Sequence, residues 1–411
     1  YRKYKKLIME EAYIVDSIRT PIGKFNGSLS TIRIDDLGAM VLNELMLRNP
    51  SIIKSEINDV LIGCANQAGE DNRNIARMAL LLAQLPYSIP GETINRLCAS
   101  GMSSVIHGSR MIQTRDANII IAGGFENMTR GPLIISKSSR PFGRDNKLYD
   151  SSFGWRFINS KLEKKYGSDS MGITAENLAK IYKISREDQD IFALKSQIKA
   201  NKASENGRFS QEIFPIEIKK RKSNSYLFVK DEFIKPKTNI KLLNSLKPAF
   251  KDNGTVTAGN SSGINDGAAA LILASKYAVN KFNLKPIAKI ISSGVIGVKP
   301  SIMGIGPVKA SNIALKKANL SLNKIDIIEI NEAFAAQTLS CMREMGLKDD
   351  DKRINPNGGA IAIGHPLGVS GTRIIQTAAI ELKNTNKKYA LCTMCVGVGQ
   401  GFATVIENCN N

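Results

Sequence analysis

The sequence predicts an α/β protein built as two similar halves with a segment inserted into the first, and three observations carry that reading. Short apolar runs ended by glycines, such as residues 119–122 before Gly123-Gly124, have the length of buried strands. They alternate with stretches whose apolar residues recur at helical spacing. The two ends of the chain also echo each other: Ile57-Asn58-Asp59-Val60 matches Ile325-Asp326-Ile327-Ile328, and Arg110-Met111-Ile112-Gln113 matches Arg373-Ile374-Ile375-Gln376. Each copy runs strand, long connection, reactive residue at a helix start, apolar helix, strand, glycine turn.

In chain order, residues 1–8 form a basic tail without the features of a transit peptide or a secretory signal. Residues 12–16 read as a short strand ended by Ser17-Ile18-Arg19-Thr20-Pro21. Asp35-Asp36-Leu37 opens a helix with Leu37, Val41, Leu45 and Met46 on one face. Residues 57–62 are a strand closed by Gly63, and residues 74–85, apolar almost all round, are a buried helix. Residues 93–97 lead into Cys98-Ala99-Ser100-Gly101 and a helix whose face holds Met102, Val105, Ile106, Ser109 and Ile112. The strand at 119–122 is then closed by its two glycines.

Between 125 and 250 the chain turns polar and lysine-rich and is broken by Ser, Gly and Pro, which marks an insertion rather than more sheet. Two helices are expected inside it, at 174–182 and from Ser185, where Ser185-x-x-Asp188 resembles a capping box. Residues 255–264 form a loop of small residues rich in N–H and hydroxyl donors, and 266–274 resumes a buried apolar pattern. Residues 325–330 make a strand ending in Asn331-Glu332-Ala333-Phe334-Ala335. Residues 389–394 make another, which runs into Cys395-Val396-Gly397-Val398-Gly399-Gln400-Gly401.

The bulk properties narrow the class. At 411 residues, 43% hydrophobic and 23% charged, the chain has the composition of a soluble globular protein with a large core. No apolar run approaches the ~20 residues of a membrane span. The net charge of +20 favours phosphate-bearing partners, nucleic acid or a phosphorylated small molecule. The basic residues are scattered apart from Lys219-Lys220-Arg221-Lys222, and no groove-reading motif accompanies them, so a lysine-rich surface is preferred to nucleic-acid binding. Six irregularly spaced cysteines argue against a disulfide framework and for a reducing compartment. Cys392 and Cys395 have C-x-x-C spacing, but no second pair or nearby histidine completes a zinc site, and no metal is expected.

Residues 355–371 carry the strongest local signal. Five glycines and two prolines in seventeen residues exclude a regular element interior, and helical spacing follows at Ile374, Ala378 and Leu382. Such a loop aims free N–H groups at an anion. It holds His365, one of two histidines in the chain. A catalytic imidazole and a turn histidine bonded to backbone both fit this position. Cys98, at a helix start, reads as a nucleophile with a lowered pKa, against the alternative of a buried structural cysteine. His107 falls beside the apolar stripe and reads as packing or surface. Cys98, His365, Asn331 and Cys395 all end or follow predicted strands. Cysteine with histidine suggests covalent acyl transfer, a second cysteine beside glycines suggests a base for a carbon acid, and glycine N–H groups suit oxyanions and enolates.

From about residue 11 to residue 407 the chain resembles the thiolases. The motifs are Asn95-Arg96-Leu97-Cys98-Ala99-Ser100-Gly101, Asn331-Glu332-Ala333-Phe334-Ala335, Gly364-His365-Pro366-Leu367-Gly368-Val369-Ser370-Gly371 and Cys395-Val396-Gly397-Val398-Gly399-Gln400-Gly401. The stretch from Gly63 to Asn74 and Gly154-Trp155-Arg156-Phe157 look like the β-ketoadipyl-CoA thiolase branch. The resemblance implies a duplicated α/β fold with mixed sheets packed around buried helices: one half at 9–124 completed by 251–284, a second at 285–411, and a loop domain at 125–250 covering the CoA site. It implies Cys98 as acyl carrier, His365 as its activator and a ligand of the thioester oxygen, and Cys395 as mover of the α-proton. Asn331 would hold a water in one oxyanion hole, with the N–H groups of Cys98 and Gly397 forming the other. Ser262 and Ala258 would meet the pantetheine arm, Phe334 and Met171 would line the thioester pocket, and Lys235 would meet the nucleotide end of CoA.

No cofactor is implied, because CoA, acetyl-CoA and 3-oxoacyl-CoA are substrates. The protein is expected to be a homodimer or homotetramer, and cytoplasmic, or mitochondrial if a transit peptide precedes the chain. Ser170 stands where acetoacetyl-CoA thiolases typically carry histidine, which favours a longer or more general substrate. The rivals are a 3-oxoacyl-carrier-protein synthase, which would need a second catalytic histidine, and a non-enzymatic phosphate- or nucleic-acid-binding protein.

Overall fold

A computed structural model describes residues 9–219 and 224–410. The basic tail at 1–8 and most of the basic run at 219–222 lie outside these. The strands are β1 (Ala12–Arg19), β2 (Gly23–Lys24), β3 (Asp59–Gly63), β4 (Gly91–Ile94), β5 (Ile119–Asn127), β6 (Leu133–Ile135), β7 (Leu148–Asp150), β8 (Ile216–Ile218), β9 (Tyr226–Phe228), β10 (Asn265–Ala274), β11 (Ala288–Gly297), β12 (Ile327–Ile330), β13 (Tyr389–Val396) and β14 (Gln400–Asn408). The helices are α1 (Ile34–Arg48), α2 (Ile75–Leu82), α3 (Ser100–Gln113), α4 (Ser160–Tyr166), α5 (Met171–Ile181), α6 (Arg186–Glu205), α7 (Ile240–Asn244), α8 (Lys276–Lys281), α9 (Gly306–Ala318), α10 (Ala335–Glu344), α11 (Ala360–Ile363) and α12 (Leu367–Thr385).

One sheet organises the chain, in the order β12-β13-β14-β11-β1-β10-β5-β3-β4. Outward from the β1–β11 seam the two sides repeat the same pairings. β1–β10 and β10–β5 are antiparallel and β5–β3 parallel, just as β11–β14 and β14–β13 are antiparallel and β13–β12 parallel. The seam itself is a short antiparallel match, Ala12 opposite Ile290 and Ile14 opposite Ala288. The duplicated halves are therefore joined edge to edge in one continuous sheet. Of the two sequence echoes, one falls at equivalent strand starts, β3 and β12. The other is displaced: Arg110 comes twelve residues after Cys98, but Arg373 only eight after His365, a difference of one helical turn.

Several boundaries differ from the sequence reading, each for a tertiary reason. β1 continues through Ser17–Arg19 because Arg19, fully buried, donates to Glu212 at 2.9 Å and Asp231 at 2.6 Å, which satisfies a charge the pattern marked as a turn. α2 is not buried all round: Leu81 and Leu82 are 45% and 49% exposed while Ile75, Ala76, Ala79 and Leu80 pack inward. β5 passes straight through Gly123-Gly124 to Asn127, so the insertion begins after the strand. A Cβ on Gly124 would lie 1.9 Å from the Gly368 carbonyl oxygen, so this glycine permits close approach rather than a turn. α5 starts at Met171, and α6 begins with the expected capping box, Ser185 Oγ accepting from Asp188 N–H at 3.0 Å.

α12 starts at Leu367, inside the glycine-rich stretch, which also contains the single turn α11. The glycines are tolerated in the helix because α3 and α12 cross in contact near their N-termini. A Cβ on Gly101 would meet Gly368 O at 2.4 Å, and one on Gly371 would meet Met102 N at 2.4 Å. The apolar sides of both helices, including Met102, Val105, Ile106, Ile374 and Ala378, share one buried cluster with both halves of the sheet. The two helix starts that carry Cys98 and His365 thus meet at the centre of the molecule.

Candidate active site

Cys98 lies two residues ahead of α3 and is half-buried. Leu97 before it adopts φ +48° and Val398 of the facing turn φ +62°. Left-handed backbone at a leucine and a β-branched valine costs about 1–3 kcal/mol each, so the surrounding packing holds both turns in place. The backbone N–H groups of Gly397 and of Cys98 itself point at the Cys98 sulfur. Burial nevertheless pushes the thiol up to about 11, against the pull of those two N–H groups and helped by the charge of Glu126. The expectation of a lowered pKa is corrected here: desolvation outweighs the helix terminus.

His365 is buried and fixed on three sides. Its N–H donates to Asn265 Oδ1 at 2.9 Å, and its Nδ1 lies 2.6 Å from Ser370 Oγ, which donates to the Pro366 carbonyl at 3.0 Å. Its Nε2 faces Asn331 Nδ2 at 3.4 Å. Asn331 Nδ2 can only donate, and the Ser370 proton is committed to Pro366. The network therefore assigns Nδ1–H to the ring and leaves Nε2 as acceptor. Burial, with the Arg373 charge adding to it, holds the imidazole down at about 3. Asn331 is fully buried, and its Oδ1 has no partner among the described residues. Its neighbour Glu332 accepts from Ser196 Oγ, Asn355 Nδ2 and Ile361 N–H, clamping the turn after β12 to α6 and α11.

Cys395 sits buried on β13, its thiol raised well above the ordinary value by burial first and then by neighbouring Cys98 and Cys341. Cys98, Gly397 and Met171 line a cavity of about 370 Å³, with Leu97, Trp155 and Val398 on its apolar walls. Ser170, the N-cap of α5, is also on its wall. Four expected contacts are not on that wall. Ser262 donates N–H and hydroxyl to Ala333 O at 3.0 and 3.1 Å, and Ala258 is exposed. Phe334 is buried edge-on to Phe250. Lys235 sits in a separate cleft beside Gln197, its ammonium 4.7 Å from the Phe233 ring. His107 is on the surface near Glu92.

Two residues of the site escaped the sequence reading. Glu126, buried at the end of β5, accepts from the N–H groups of Ala65 (2.8 Å), Asn66 (3.1 Å) and Gly368 (2.8 Å), and burial raises it to about 7. It lies close enough to Cys64 and Asp71 for the three to face one ion, but its oxygens are already committed to backbone donors. Ser370 stood inside a quoted motif, and its spacing five residues after His365 was the available signal.

A cysteine under two N–H donors, a fixed neutral imidazole and a second cysteine are groups that acyl transfer can use. The family description "Thiolase, N-terminal domain" matches residues 12–277 and "Thiolase, C-terminal domain" matches 284–408. A 3-oxoadipyl-CoA/3-oxo-5,6-dehydrosuberyl-CoA thiolase of Escherichia coli is 51% identical over 399 residues, covering 97% of this chain and all of that one. A beta-ketoadipyl-CoA thiolase of Acinetobacter baylyi is 52% identical with the same coverage. Human mitochondrial 3-ketoacyl-CoA thiolase superposes with a TM-score of 0.91 at 40% identity, over 98% of this chain and all of that one. Its complex with CoA gives 0.90 at 39%, over 98% of each chain. The chain belongs to the thiolase family and is an acyltransferase.

Proposed function

We propose that the enzyme cleaves 3-oxoacyl-CoA with CoA, and runs the reverse condensation, through an acyl group carried on Cys98. The observation that carries this is the fixed His365 tautomer, whose Nε2 acceptor lies beside Asn331, which bonds through its N–H to Thr393 on the Cys395 strand, while Cys395 is near enough to Cys98 for each thiol to act on the other. In the cleavage direction the Cys98 sulfur attacks the 3-keto carbon while its proton passes to His365 Nε2. Because the resting thiol and imidazole are both neutral, this transfer accompanies attack rather than preceding it. The C2–C3 bond breaks, its electron pair goes to the acetyl-CoA enolate, and Cys395 delivers a proton to C2. CoA then gives its thiol proton to the Cys395 thiolate, its sulfur attacks the acyl-cysteine, and acyl-CoA leaves as the Cys98 sulfur takes its proton back from His365, which restores all three groups. The N–H groups of Cys98 and Gly397 stabilise one oxyanion, and protonated His365 with an Asn331-held water the other, each donor being worth about 3–4 kcal/mol in comparable sites. A cysteine whose thiol is held high makes a strong base once ionised, as an α-carbon acid requires.

Relatives at 51–52% identity named for 3-oxoadipyl-CoA and beta-ketoadipyl-CoA, and serine rather than histidine at position 170, support an acyl chain longer than that of acetoacetyl-CoA. Ser262, Ala258, Phe334 and Lys235 stay assigned to the CoA arm and thioester, outside the acyl cavity. Brief incubation with labelled acetyl-CoA and peptide mapping tests the roles. Label belongs on Cys98, and label on Cys64 or Cys341 overturns the assignment. Cys395→Ala should still take the label while condensation and exchange of acetyl-CoA methyl protons with deuterated water fall ~10²–10⁴-fold. Normal exchange in that folded variant would remove Cys395 as the base.

A further inference from the structure

The cavity over Cys98 has a cation that no catalytic step uses. Arg156 lies on its wall, in the segment between β7 and α4, and is half-buried. Its Nη1 donates to Ser151 O at 3.1 Å, and its Nη2 donates to Asn66 O at 3.3 Å and Asn66 Oδ1 at 3.1 Å. All three acceptors are neutral. They fix the plane of the guanidinium between two chain segments, leave its charge without a counter-ion among the described residues, and leave further N–H groups unspent. Glu126, the other charged residue on the wall, is occupied by three backbone N–H donors. A guanidinium held in this way, in a cavity that a ligand will dry, calls for an anion on the ligand, and a carboxylate matches its fork. The same cavity wall carries the apolar side chains of Leu97, Trp155, Met171 and Val398.

We propose that Arg156 is a specificity-determining residue that binds a carboxylate at the far end of the acyl chain, so that the preferred substrate is a 3-oxoacyl-CoA derived from a dicarboxylic acid. This rests on the thiolase reading and goes beyond it by naming the group that reads the acyl terminus. The apolar wall accepts the methylenes and Arg156 the terminal charge. A methyl-ended chain of equal length would leave the guanidinium desolvated and unpaired, which penalises that substrate.

The test compares thiolysis of 3-oxoadipyl-CoA and 3-oxohexanoyl-CoA, six-carbon acyl chains ending in carboxylate and methyl. The wild-type enzyme is expected to prefer the carboxylate at least tenfold in kcat/KM. In Arg156→Met the ratio of the two kcat/KM values should fall about 10- to 100-fold, mainly through KM, and Arg156→Lys should keep part of it. Two results overturn the proposal: no wild-type preference, or an unchanged ratio in Arg156→Met. The second is what a CoA-phosphate contact, or a merely structural tie between residues 66 and 151, would give. A wild-type protein that cleaves 3-oxohexanoyl-CoA without preference loses only this inference. One that cleaves neither probe nor acetoacetyl-CoA loses the thiolase reading as well.

Discussion

Ser370→Ala tests the tautomer assignment on which the acylation step depends. In the wild-type site Ser370 Oγ accepts from His365 Nδ1 at 2.6 Å and donates to Pro366 O at 3.0 Å, while Asn331 Nδ2 stands 3.4 Å from Nε2. Removing the hydroxyl leaves Nδ1–H buried without an acceptor, at a cost of about 1–3 kcal/mol. A cheaper arrangement exists. The proton can move to Nε2 and the Asn331 amide can turn, so that Asn331 Oδ1, now without a partner, accepts from Nε2–H. That arrangement relieves the Nδ1 penalty and consumes the lone pair that takes the Cys98 proton. If the full penalty drives the exchange, the competent tautomer falls to between about a fifth and a hundredth of the population, since each 1.4 kcal/mol is tenfold. Single-turnover acylation by acetyl-CoA, followed by intact-mass spectrometry, should slow by about 5- to 100-fold. Ser370→Thr, which keeps the hydroxyl, should recover much of that rate. An alanine variant that melts lower yet acylates at the wild-type rate would refute the assignment and leave Ser370 a packing residue.

Two further predictions follow from burial and exposure. His365 is held near 3 in the fold against an ordinary 6.5, so its contribution to stability is complete above pH 6.5 and is lost as pH falls toward 3. At pH 5 that loss is about 2 kcal/mol; His365→Asn should remove it, giving a smaller drop in melting temperature between pH 7 and pH 5, and an unchanged drop contradicts the buried neutral imidazole. The β6–β7 hairpin holds Leu133, Ile135 and Leu148 outward at 66%, 68% and 64% exposure, which supports self-association through it; Ile135→Glu should shift sedimentation velocity to a smaller species, and a wild-type monomer would dismiss the idea.

What the sequence revealed of the site was its local part. Motifs dense in small residues placed Cys98, Asn331, His365, Cys395 and Gly397 at strand ends and helix starts, because glycine, asparagine and proline punctuate a chain through forces acting within a few residues. What it hid was set by distant partners. Gly123-Gly124 looked like a strand end, yet Gly124 lets α12 press against a strand that continues to Glu126, so the buried carboxylate was lost with the strand. Arg19 looked like a turn residue because Glu212 and Asp231, nearly two hundred residues away or more, neutralise it. Arg156 was visible as part of a branch motif, but its lack of a carboxylate partner among the described residues is a property of the fold. The pKa of Cys98 was misjudged for the same reason: the helix start is local, and the burial that outweighs it is not.

The duplicated architecture bears directly on how the thiol is kept in hand. Both halves bring a helix N-terminus to the centre, and each such terminus favours negative charge. At α12 that capacity is already met, because the Gly368 N–H donates to Glu126 from the other half. The same carboxylate raises Cys98 through its charge, adding to burial. The N-terminal half therefore supplies both Cys98 and one of the groups that keep its thiol protonated. The C-terminal half supplies His365, Asn331, Cys395 and the Gly397 N–H. On the proposed mechanism neither half suffices: Cys98 gains its nucleophilic form only when a substrate carbonyl brings its developing charge to the N–H groups of Cys98 and Gly397 and its proton has His365 to go to. A resting thiol near 11 resists adventitious chemistry at neutral pH, and the two strained turns at Leu97 and Val398 hold the donors in place before the substrate arrives.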